Sequence, residues 1–378
     1  MKLSKLSIIN YKNIVEASLD FSPRINCFIG TNGMGKTNLL DAIYLLSFCK
    51  SAGSVTDTQC IRHDEDFAVV QGFYNLEQKS QVENPLEEMY CGLKRGRKKV
   101  FKRNKKAYKR FVDHIGLLPL VMVSPNDADL IAGTGEVRRR FLDGVISQFD
   151  AVYLNALTRY NKAMKQRNSL LKEENIVEPE LFDIWEEQMA KNGQIIFEKR
   201  EQFVDTFSPM FQRYYSLISM DKERVSLRYV SHLQEGDFLT MLRQGRSIEK
   251  ILGYSKRGIH RDDLEMMLGD YPIRREGSQG QNKSYLVALK LAQFDYLKEV
   301  TGQTPLLLLD DLFDKLDALR VEQLMTLLSD QCFGQIFITD TNREHLDLIL
   351  NKINADYRLF EVNNGQMNNK DFCYEEKN

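Results

Sequence analysis

Hydrophobic and polar positions follow two different patterns along this chain, one typical of buried β-strands and one typical of α-helices. Residues 306–309 form a short, wholly apolar run, which predicts a strand covered on both faces, and Ile25, Cys27, Phe28 and Ile29 predict another buried strand over residues 25–29. Apolar residues at helical spacing predict helices over residues 38–47 and 285–297. Further strands are predicted over residues 2–8, residues 67–73, residues 94–101 with a turn at Gly96, and residues 357–362.

A long charged segment, residues 137–213, carries a helical pattern. Polar residues interrupt it at 173–180, where Pro179 marks a connection. It contains no heptad run of the length that a long coiled coil needs, so we predict a short antiparallel helical arm. The apolar residues that recur at helical spacing are Leu142, Ile146, Tyr153, Leu157 and Tyr160.

Strands mixed with helices predict an α/β fold, and 378 residues exceed the usual limit for one hydrophobic core. We therefore predict two lobes. Lobe I comprises residues 1–120 and 300–378, and lobe II comprises residues 121–299 with the helical arm. Hydrophobic residues make up 43% of the chain, which is enough to build both cores.

Cysteine usage and hydropathy predict a cytoplasmic protein without a membrane segment. The six cysteines form no C-x-x-C pair and read as ordinary thiols in a reducing compartment. We find no N-terminal signal pattern and no apolar stretch long enough to span a bilayer.

The segment GTNGMGKT, residues 30–37, fits G-x-x-x-x-G-K-[ST], the pattern of a phosphate-binding loop. Its glycines allow backbone conformations in which successive N–H groups turn towards anionic phosphates. Lys36 supplies a positive charge for the outer phosphates, and the Thr37 hydroxyl is placed to hold Mg²⁺. The predicted strand before the loop and helix after it put the loop at a helix N-terminus, which favours anions. The predicted contacts to ATP are Gly30, Thr31, Asn32, Gly33, Met34, Gly35, Lys36, Thr37 and Asn38.

Two carboxylates directly follow the apolar run of residues 306–309. Open α/β sheets place their ligands at the carboxyl ends of strands, so Asp310 is the predicted Mg²⁺ ligand. Asp311 is the candidate to orient or polarise the attacking water, since phosphoryl transfer depends mainly on positioning and charge neutralisation. Lys36 and Asp311 are therefore the candidate catalytic residues. The alternative for a pair of aspartates after an apolar run is a helix cap or a turn.

A third motif, Ser278, Gln279, Gly280 and Gln281, comes just before the helix predicted at residues 285–297. A serine and a glycine at a helix N-terminus can direct a hydroxyl and N–H groups at an anion. The alternative is a capped helix without a ligand.

The net charge of −1 excludes a protein that is basic throughout, so binding to DNA would require a local patch. Residues 94–110 form such a patch, with Phe101 and Tyr108 interleaved among the cations. We predict a sequence-independent contact to the DNA backbone, and the alternative is a solvated surface. The predicted DNA-binding residues are Lys98, Lys99, Lys102, Arg103, Lys105 and Lys106.

Three other groups admit simpler interpretations. Arg138, Arg139 and Arg140 form a weaker basic patch, in which we expect at least one side chain to serve packing or ion pairing. The sequence GIHRDDL at residues 258–264 could suggest a metal cluster, but its spacing lacks a further set of ligands. Trp185 is expected to pack in the core or the arm.

The motifs together resemble the RecF family, whose members are ATPases related to the heads of SMC proteins. The matching segments run through nearly the whole chain in family order: residues 5–14, 30–46, 137–143, 160–172, 258–264, 278–292 and 306–317. The resemblance implies an ABC-type ATPase head with a second, mainly helical lobe. It also implies an ATP-dependent homodimer, in which Ser278, Gln279, Gly280 and Gln281 contact the γ-phosphate bound by the partner.

Further roles follow from the same resemblance. Asp317 matches a carboxylate of the family, and residues 335–339 match the strand that ends at the γ-phosphate sensor, for which Thr339 is our choice. Asp340 departs from the family pattern, which usually has threonine, and Ala52 and Gly53 stand where members tend to carry an arginine.

The family's function provides the final expectations. A RecF-like protein is expected to bind ATP and Mg²⁺, to bind double-stranded DNA near single-strand gaps, and to promote RecA loading with RecR and possibly RecO. Weak, DNA-stimulated hydrolysis would time its release. The alternative is the cassette of a transporter, which shares the ATP motifs but requires a membrane partner.

Overall fold

The computed structural model describes residues 1–53, 55–76, 86–173, 178–312, 318–329, 333–343 and 356–369. The chain divides into two compact units. Unit 1 consists of Met1–Asn126 and Phe294–Asn378, and unit 2 is Asp127–Gln293. The predicted lobe boundaries lie six residues away at both junctions (120 against 126, 300 against 294).

The strands are numbered in chain order, and those predicted from hydrophobic pattern are confirmed with small shifts at their ends. Over residues 94–101 the sheet continues with a turn at Gly96, as predicted: β5 ends at Lys94, Gly96 has a φ of 69°, and β6 begins at Val100. The described strands are β1 (Lys2–Tyr11), β2 (Ile14–Asp20), β3 (Ile25–Ile29), β4 (Phe67–Asn75), β5 (Glu87–Lys94), β6 (Val100–Arg103), β7 (Lys106–Ala107), β8 (Leu120–Val123), β9 (Val225–Val230), β10 (Asp263–Leu268), β11 (Tyr271–Pro272), β12 (Leu306–Asp310), β13 (Ile336–Asp340), β14 (Tyr357–Asn363) and β15 (Gln366–Asn369).

The helices also follow the predicted pattern. Helix α1 exceeds its predicted ends by two residues and one residue, whereas α8 begins six residues before the predicted start at 285 and therefore includes residues 279–281 of the third motif. Pro179 occupies the first turn of a helix, where its missing N–H costs nothing. The described helices are α1 (Lys36–Phe48), α2 (Ala128–Ala132), α3 (Gly135–Ile146), α4 (Ala151–Lys172), α5 (Pro179–Ser219), α6 (Phe238–Leu252), α7 (Ile273–Glu276), α8 (Gln279–Thr301) and α9 (Ala318–Ser329). None of these helices combines the length and apolarity that a bilayer crossing requires.

A mainly parallel sheet in unit 1 carries the predicted phosphate loop. Its described strands lie in the order β15-β14-β3-β13-β12-β8. The five strands from β14 to β8 run parallel to one another, and β15 pairs antiparallel with β14. β12 lies inside the sheet and is buried at every position, as its apolar sequence predicts. A lobe boundary at residue 120 would cut through β8, which pairs with β12.

A second sheet of unit 1 is antiparallel, in the order β2-β1-β4-β5-β6-β7. Helix α1 shares one hydrophobic core with residues of both sheets, and it is buried on nearly all sides. Because α1 is buried on most sides, the shared core holds it directly behind the phosphate loop.

The arm in unit 2 is the predicted antiparallel pair. Tyr153 near the start of α4 contacts Arg200 in the second half of α5, and Arg167 near the end of α4 contacts Glu186 near the start of α5. The two helices are therefore antiparallel. Arg167 is fully buried and pairs with two carboxylates, at 2.9 Å from Glu186 and 2.6 Å from Glu249. A buried guanidinium requires such partners, because desolvation of a lone charge costs several kcal/mol. The three-stranded sheet β11-β10-β9 completes the described strands of this unit.

Candidate nucleotide-binding site

The predicted residues of unit 1 meet at the carboxyl ends of three adjacent parallel strands. In the register of the sheet, Asp310 of β12 lies beside Thr339 of β13, and Thr339 lies beside Phe28 of β3. The phosphate loop begins directly after β3. This edge of the sheet is where open α/β folds bind their ligands.

The glycines of the phosphate loop occupy conformations that other residues avoid. Gly33 has a φ of 82° and Gly35 a φ of 109°. A Cβ atom on Gly35 would lie 2.7 Å from Oδ1 of Asn13, so this position excludes a side chain on two grounds. The backbone N–H groups of the loop can therefore approach an anion closely.

Lys36 is buried and bends back over its own loop. Its Nζ donates to the carbonyl oxygens of Gly30 at 2.8 Å and Thr31 at 3.3 Å. The same ammonium lies 4.0 Å from Oδ1 of Asp311. The positive charge thus lies between the phosphate loop and the end of β12, close to Asp311, the other candidate catalytic residue.

Asp310 is the centre of a hydroxyl–carboxylate cluster. The Thr37 hydroxyl donates to its Oδ1 and Oδ2 at 3.0 Å and 2.9 Å, and the Thr339 hydroxyl donates to its Oδ1 at 2.7 Å. The Thr339 hydroxyl also accepts the N–H of Asp311 at 3.1 Å. Thr339 therefore positions both aspartates, a role that the sequence did not reveal, while its role as γ-phosphate sensor stays a prediction.

Two turns that the sequence analysis did not single out support the loop. Asn13, between β1 and β2, accepts the side-chain amide of Asn38 at 2.8 Å and directs its own amide at the Gly33 carbonyl, 3.5 Å away. From the turn between β14 and β15, the Gly365 N–H donates to the Met34 carbonyl at 2.8 Å. No periodic pattern marks these contacts, because each joins segments far apart in the chain.

A buried aspartate on α1 fixes the segment that follows the helix. Asp41 accepts the Tyr11 hydroxyl at 2.7 Å and the Ala52 N–H at 2.6 Å, and it pairs with Lys12 at 2.6 Å. Ser51 adds hydroxyl bonds to the same carboxylate at 2.9 Å and 2.8 Å. The only available signal in the sequence was a carboxylate on the otherwise apolar surface of α1.

The third motif forms the N-terminus of α8 in unit 2. The Ser278 hydroxyl accepts the Gln281 N–H at 3.2 Å, and Oε1 of Gln281 accepts the Ser278 N–H at 2.7 Å. This reciprocal arrangement is a capping box. A hydroxyl that accepts one bond can still donate its proton, so Ser278 remains suited to an anion. Asp317, the remaining predicted contact, lies outside the described residues.

The predicted DNA-binding residues differ in how their charges are placed. Arg103 forms a bidentate salt bridge with Glu87, and Nζ of Lys99 lies 2.9 Å from Oδ1 of Asp57. Lys102 lies with its Nζ 5.2 Å from the centre of the Tyr90 ring. Lys98, Lys105 and Lys106 are exposed on and beside the hairpin of β6 and β7.

In the other basic patch, Arg138 serves ion pairing, as was expected for at least one of its side chains. Arg138 is buried and pairs with Asp263 through two bonds, at 2.6 Å and 2.8 Å. Arg139 donates to the Asp262 carbonyl at 2.6 Å, and Arg140 pairs with Glu136. No group of three or more His, Cys, Asp or Glu side chains that could hold a metal ion occurs among the described residues.

The site fits a nucleoside triphosphate with a divalent cation. A glycine loop with positive φ, a buried lysine and a helix N-terminus suit the phosphates. The hydroxyl of Thr37 and the carboxylate of Asp310, which lie in direct contact, are oxygen ligands of the type that Mg²⁺ prefers. This site on a parallel sheet, joined to an antiparallel sheet and a helical unit, defines the class of the protein: an ABC-type ATPase head.

The comparisons with known proteins narrow this class. The model for the RecF/RecN/SMC N terminal domain matches residues 2–368. The DNA replication and repair protein RecF of Bacteroides thetaiotaomicron is 62% identical over 369 residues, which cover 97% of this chain and 98% of the relative. The chain belongs to the RecF family.

Solved structures agree with the assignment. A structure of the recombination mediator protein RecF with ATP, from the RecFOR pathway, has a TM-score of 0.86 at 27% identity and covers 98% of both chains. An Smc head domain from Pyrococcus furiosus has a TM-score of 0.56 at 17% identity, covering 98% of this chain and 96% of its own, and shows the shared fold. These matches confirm the resemblance found in the sequence and give no support to a transporter cassette.

Proposed function

We propose that this protein is a cytoplasmic ATPase of DNA repair and recombination that dimerises on ATP. It would bind double-stranded DNA near single-strand gaps and, with RecR and possibly RecO, promote the loading of RecA. The observation that carries the proposal is the contact of Thr37 with Asp310 beside the buried Lys36, at the carboxyl edge of a parallel sheet. The relatives named above, which act in DNA replication and repair or bind ATP, support it.

Each residue of the site has a distinct task in this proposal. Backbone N–H groups of residues 30–38 hold the phosphates, and the ammonium of Lys36 moves from the loop carbonyls to the outer phosphate oxygens. Thr37 and Asp310 would hold Mg²⁺, which supplies charge neutralisation when bound. Asp311 orients water for attack, and Thr339 keeps Asp310 and Asp311 in place.

Hydrolysis would require a second copy: as the resemblance to the RecF family implies, the N-terminus of α8 with Ser278 would seal the nucleotide held by the partner. Gln279, Gly280 and Gln281 would complete this contact, and Asp317 would link the two sites. Slow, DNA-stimulated turnover would then separate the dimer and time its release from DNA.

Light scattering with and without ATP tests the proposal directly. The wild-type protein is expected to double its mass with ATP, whereas Ser278→Arg should bind ATP and stay monomeric, because the bulky cation blocks the seal. The matched control is Ser247→Arg, an exposed serine on α6 of the same unit. If Ser278→Arg dimerises like wild type, the proposed contact of Ser278 with the partner's nucleotide is wrong. Gel-shift binding to gapped, duplex and single-stranded DNA, with ATP or ADP, tests the substrate.

A further inference from the structure

The Ser278 cap is held from outside its own helix. Nε2 of Gln281 donates to Oε1 of Glu223 at 2.8 Å, while Oε1 of the same amide accepts the Ser278 N–H. Both ends of the amide are therefore engaged, and a single orientation of the group satisfies both bonds. Gln281 cannot turn without breaking either the cap or the bond to Glu223.

Glu223 in turn belongs to the base of the arm. It follows the end of α5 by four residues, and its other oxygen, Oε2, accepts the hydroxyl of Tyr215 from the last turns of that helix. One carboxylate thus joins the arm helix to the motif at Ser278. Charge-assisted hydrogen bonds of this kind are stronger than neutral ones, so the connection is firm.

A second set of contacts runs parallel to the first. The Tyr285 hydroxyl, one turn after Gln281 on α8, donates to the Ser226 carbonyl at 2.9 Å. The Tyr285 ring packs against Phe211 and Tyr215 of α5, with centroids 4.6 Å and 5.8 Å apart, and all three rings are fully buried. The packing aligns α8 with α5, and Glu223 fixes the orientation of the terminal Gln281.

We propose that Glu223 is a positioning residue for the composite ATP site: it holds Gln281, and through it Ser278, in the geometry that meets the partner's nucleotide. The inference rests on the proposed function, since it concerns the seal formed in trans. Glu223 therefore links the end of α5 to the Ser278 cap, beside the packing of Tyr285 against Phe211 and Tyr215.

Two substitutions separate the hydrogen bond from the charge. Glu223→Ala removes both bonds, so Gln281 loses its outer anchor and the cap loosens. Glu223→Gln keeps an oxygen that accepts from Gln281 and an amide that can donate to Tyr215. Glu265→Ala is the matched control, because it removes a carboxylate whose pair with Arg228 lies on the surface of the neighbouring sheet.

Sedimentation at a series of protein concentrations with saturating ATP measures the dimerisation constant. Glu223→Ala should weaken each seal about tenfold, the size expected for a hydrogen bond to a charged group, and the dimerisation constant about a hundredfold, because a two-fold dimer has two seals. Binding of a fluorescent ATP analogue to the monomer should stay within about twofold of wild type, since ordinary substitutions away from a site change little. Glu223→Gln and Glu265→Ala should dimerise like wild type.

The outcomes distinguish this inference from the proposed function. If Glu223→Ala dimerises normally while Ser278→Arg does not, Glu223 has no positioning role and the inference fails alone. If Ser278→Arg also dimerises normally, the seal in trans itself is wrong. A Glu223→Gln protein as defective as Glu223→Ala would refute the hydrogen-bond mechanism. In a double variant with Gln281→Ala, the Glu223→Ala substitution should add nothing further, and additive effects would place Glu223 on another path.

Discussion

The hairpin of β6 and β7 offers a quantitative test of DNA binding, because the structure separates its exposed cations from its paired ones. Lys98, Lys105 and Lys106 are exposed, whereas Arg103 and Lys99 pair with carboxylates of the same unit. An exposed ammonium can reach a DNA phosphate without breaking an ion pair. We therefore expect these three lysines to contribute more to the salt-dependent contact with DNA than the paired Arg103 and Lys99 do.

The perturbation is the triple variant Lys98→Ala, Lys105→Ala and Lys106→Ala. If each lysine neutralises one phosphate, the slope of log K against log salt should fall in magnitude by about 2.7, at about 0.9 per phosphate. Between about 50 and 200 mM salt, the loss of affinity should then be smaller by about 40-fold than in wild type. Fluorescence anisotropy with labelled gapped duplex, in the presence of ATP, measures both slopes.

A second triple variant controls for the change in net charge. Lys162, Lys165 and Lys191 are exposed lysines of the arm, and their replacement by alanine removes the same total charge from unit 2. The slope of this variant should match wild type. If the slope of the hairpin variant equals that of wild type, the basic run is a solvated surface and does not contact DNA. If both variants change the slope equally, only the overall charge of the protein affects DNA binding.

Three further predictions follow from the unit cores and the phosphate loop. Lys36→Met should abolish ATP binding and Lys36→Arg should keep binding but lose turnover; normal hydrolysis by Lys36→Met protein, in a phosphate-release assay, would contradict the site. Gly35→Ala should lower ATP affinity about tenfold or more, because left-handed strain costs about 1–2 kcal/mol and the new methyl group also clashes, whereas Gly33→Ala carries the strain alone and should lose less. Burial lowers the pKa of His114 and of His260 from 6.5 to about 4. As the pH drops from 6.5 towards 4, these histidines become protonated in the unfolded chain but stay neutral in the folded protein, so the free energy of unfolding should fall. The loss at pH 5 is about 2 kcal/mol for each histidine, and urea unfolding should show a shallower pH dependence for His114→Gln and His260→Gln; an unchanged dependence would refute it.

Local patterns were sufficient to find the elements that carry the chemistry. The apolar run of β12 predicts a central strand because both its faces are covered, and the glycines with Lys36 predict a loop between a strand and a helix. The same applies to the arm, whose helical spacing and Pro179 predict two helices and the break between them. In each case the interactions that determine the secondary structure join residues only a few positions apart, so the local sequence is enough to predict the element.

Only the tertiary structure decided which side chains meet. Thr37 and Asp310 are 273 residues apart, and their contact depends on the order of parallel strands, which no periodicity encodes. The roles of Asn13 beside the loop, of Asp41 behind it and of Glu223 beneath Ser278 were hidden for the same reason. The basic run shows the same limit, because a lysine looks identical in sequence whether a distant carboxylate neutralises it or solvent surrounds it. The local sequence determines which helix, strand or turn each segment forms. The packing of distant segments determines which charged groups and hydroxyls lie close enough to bind a ligand or to pair with each other.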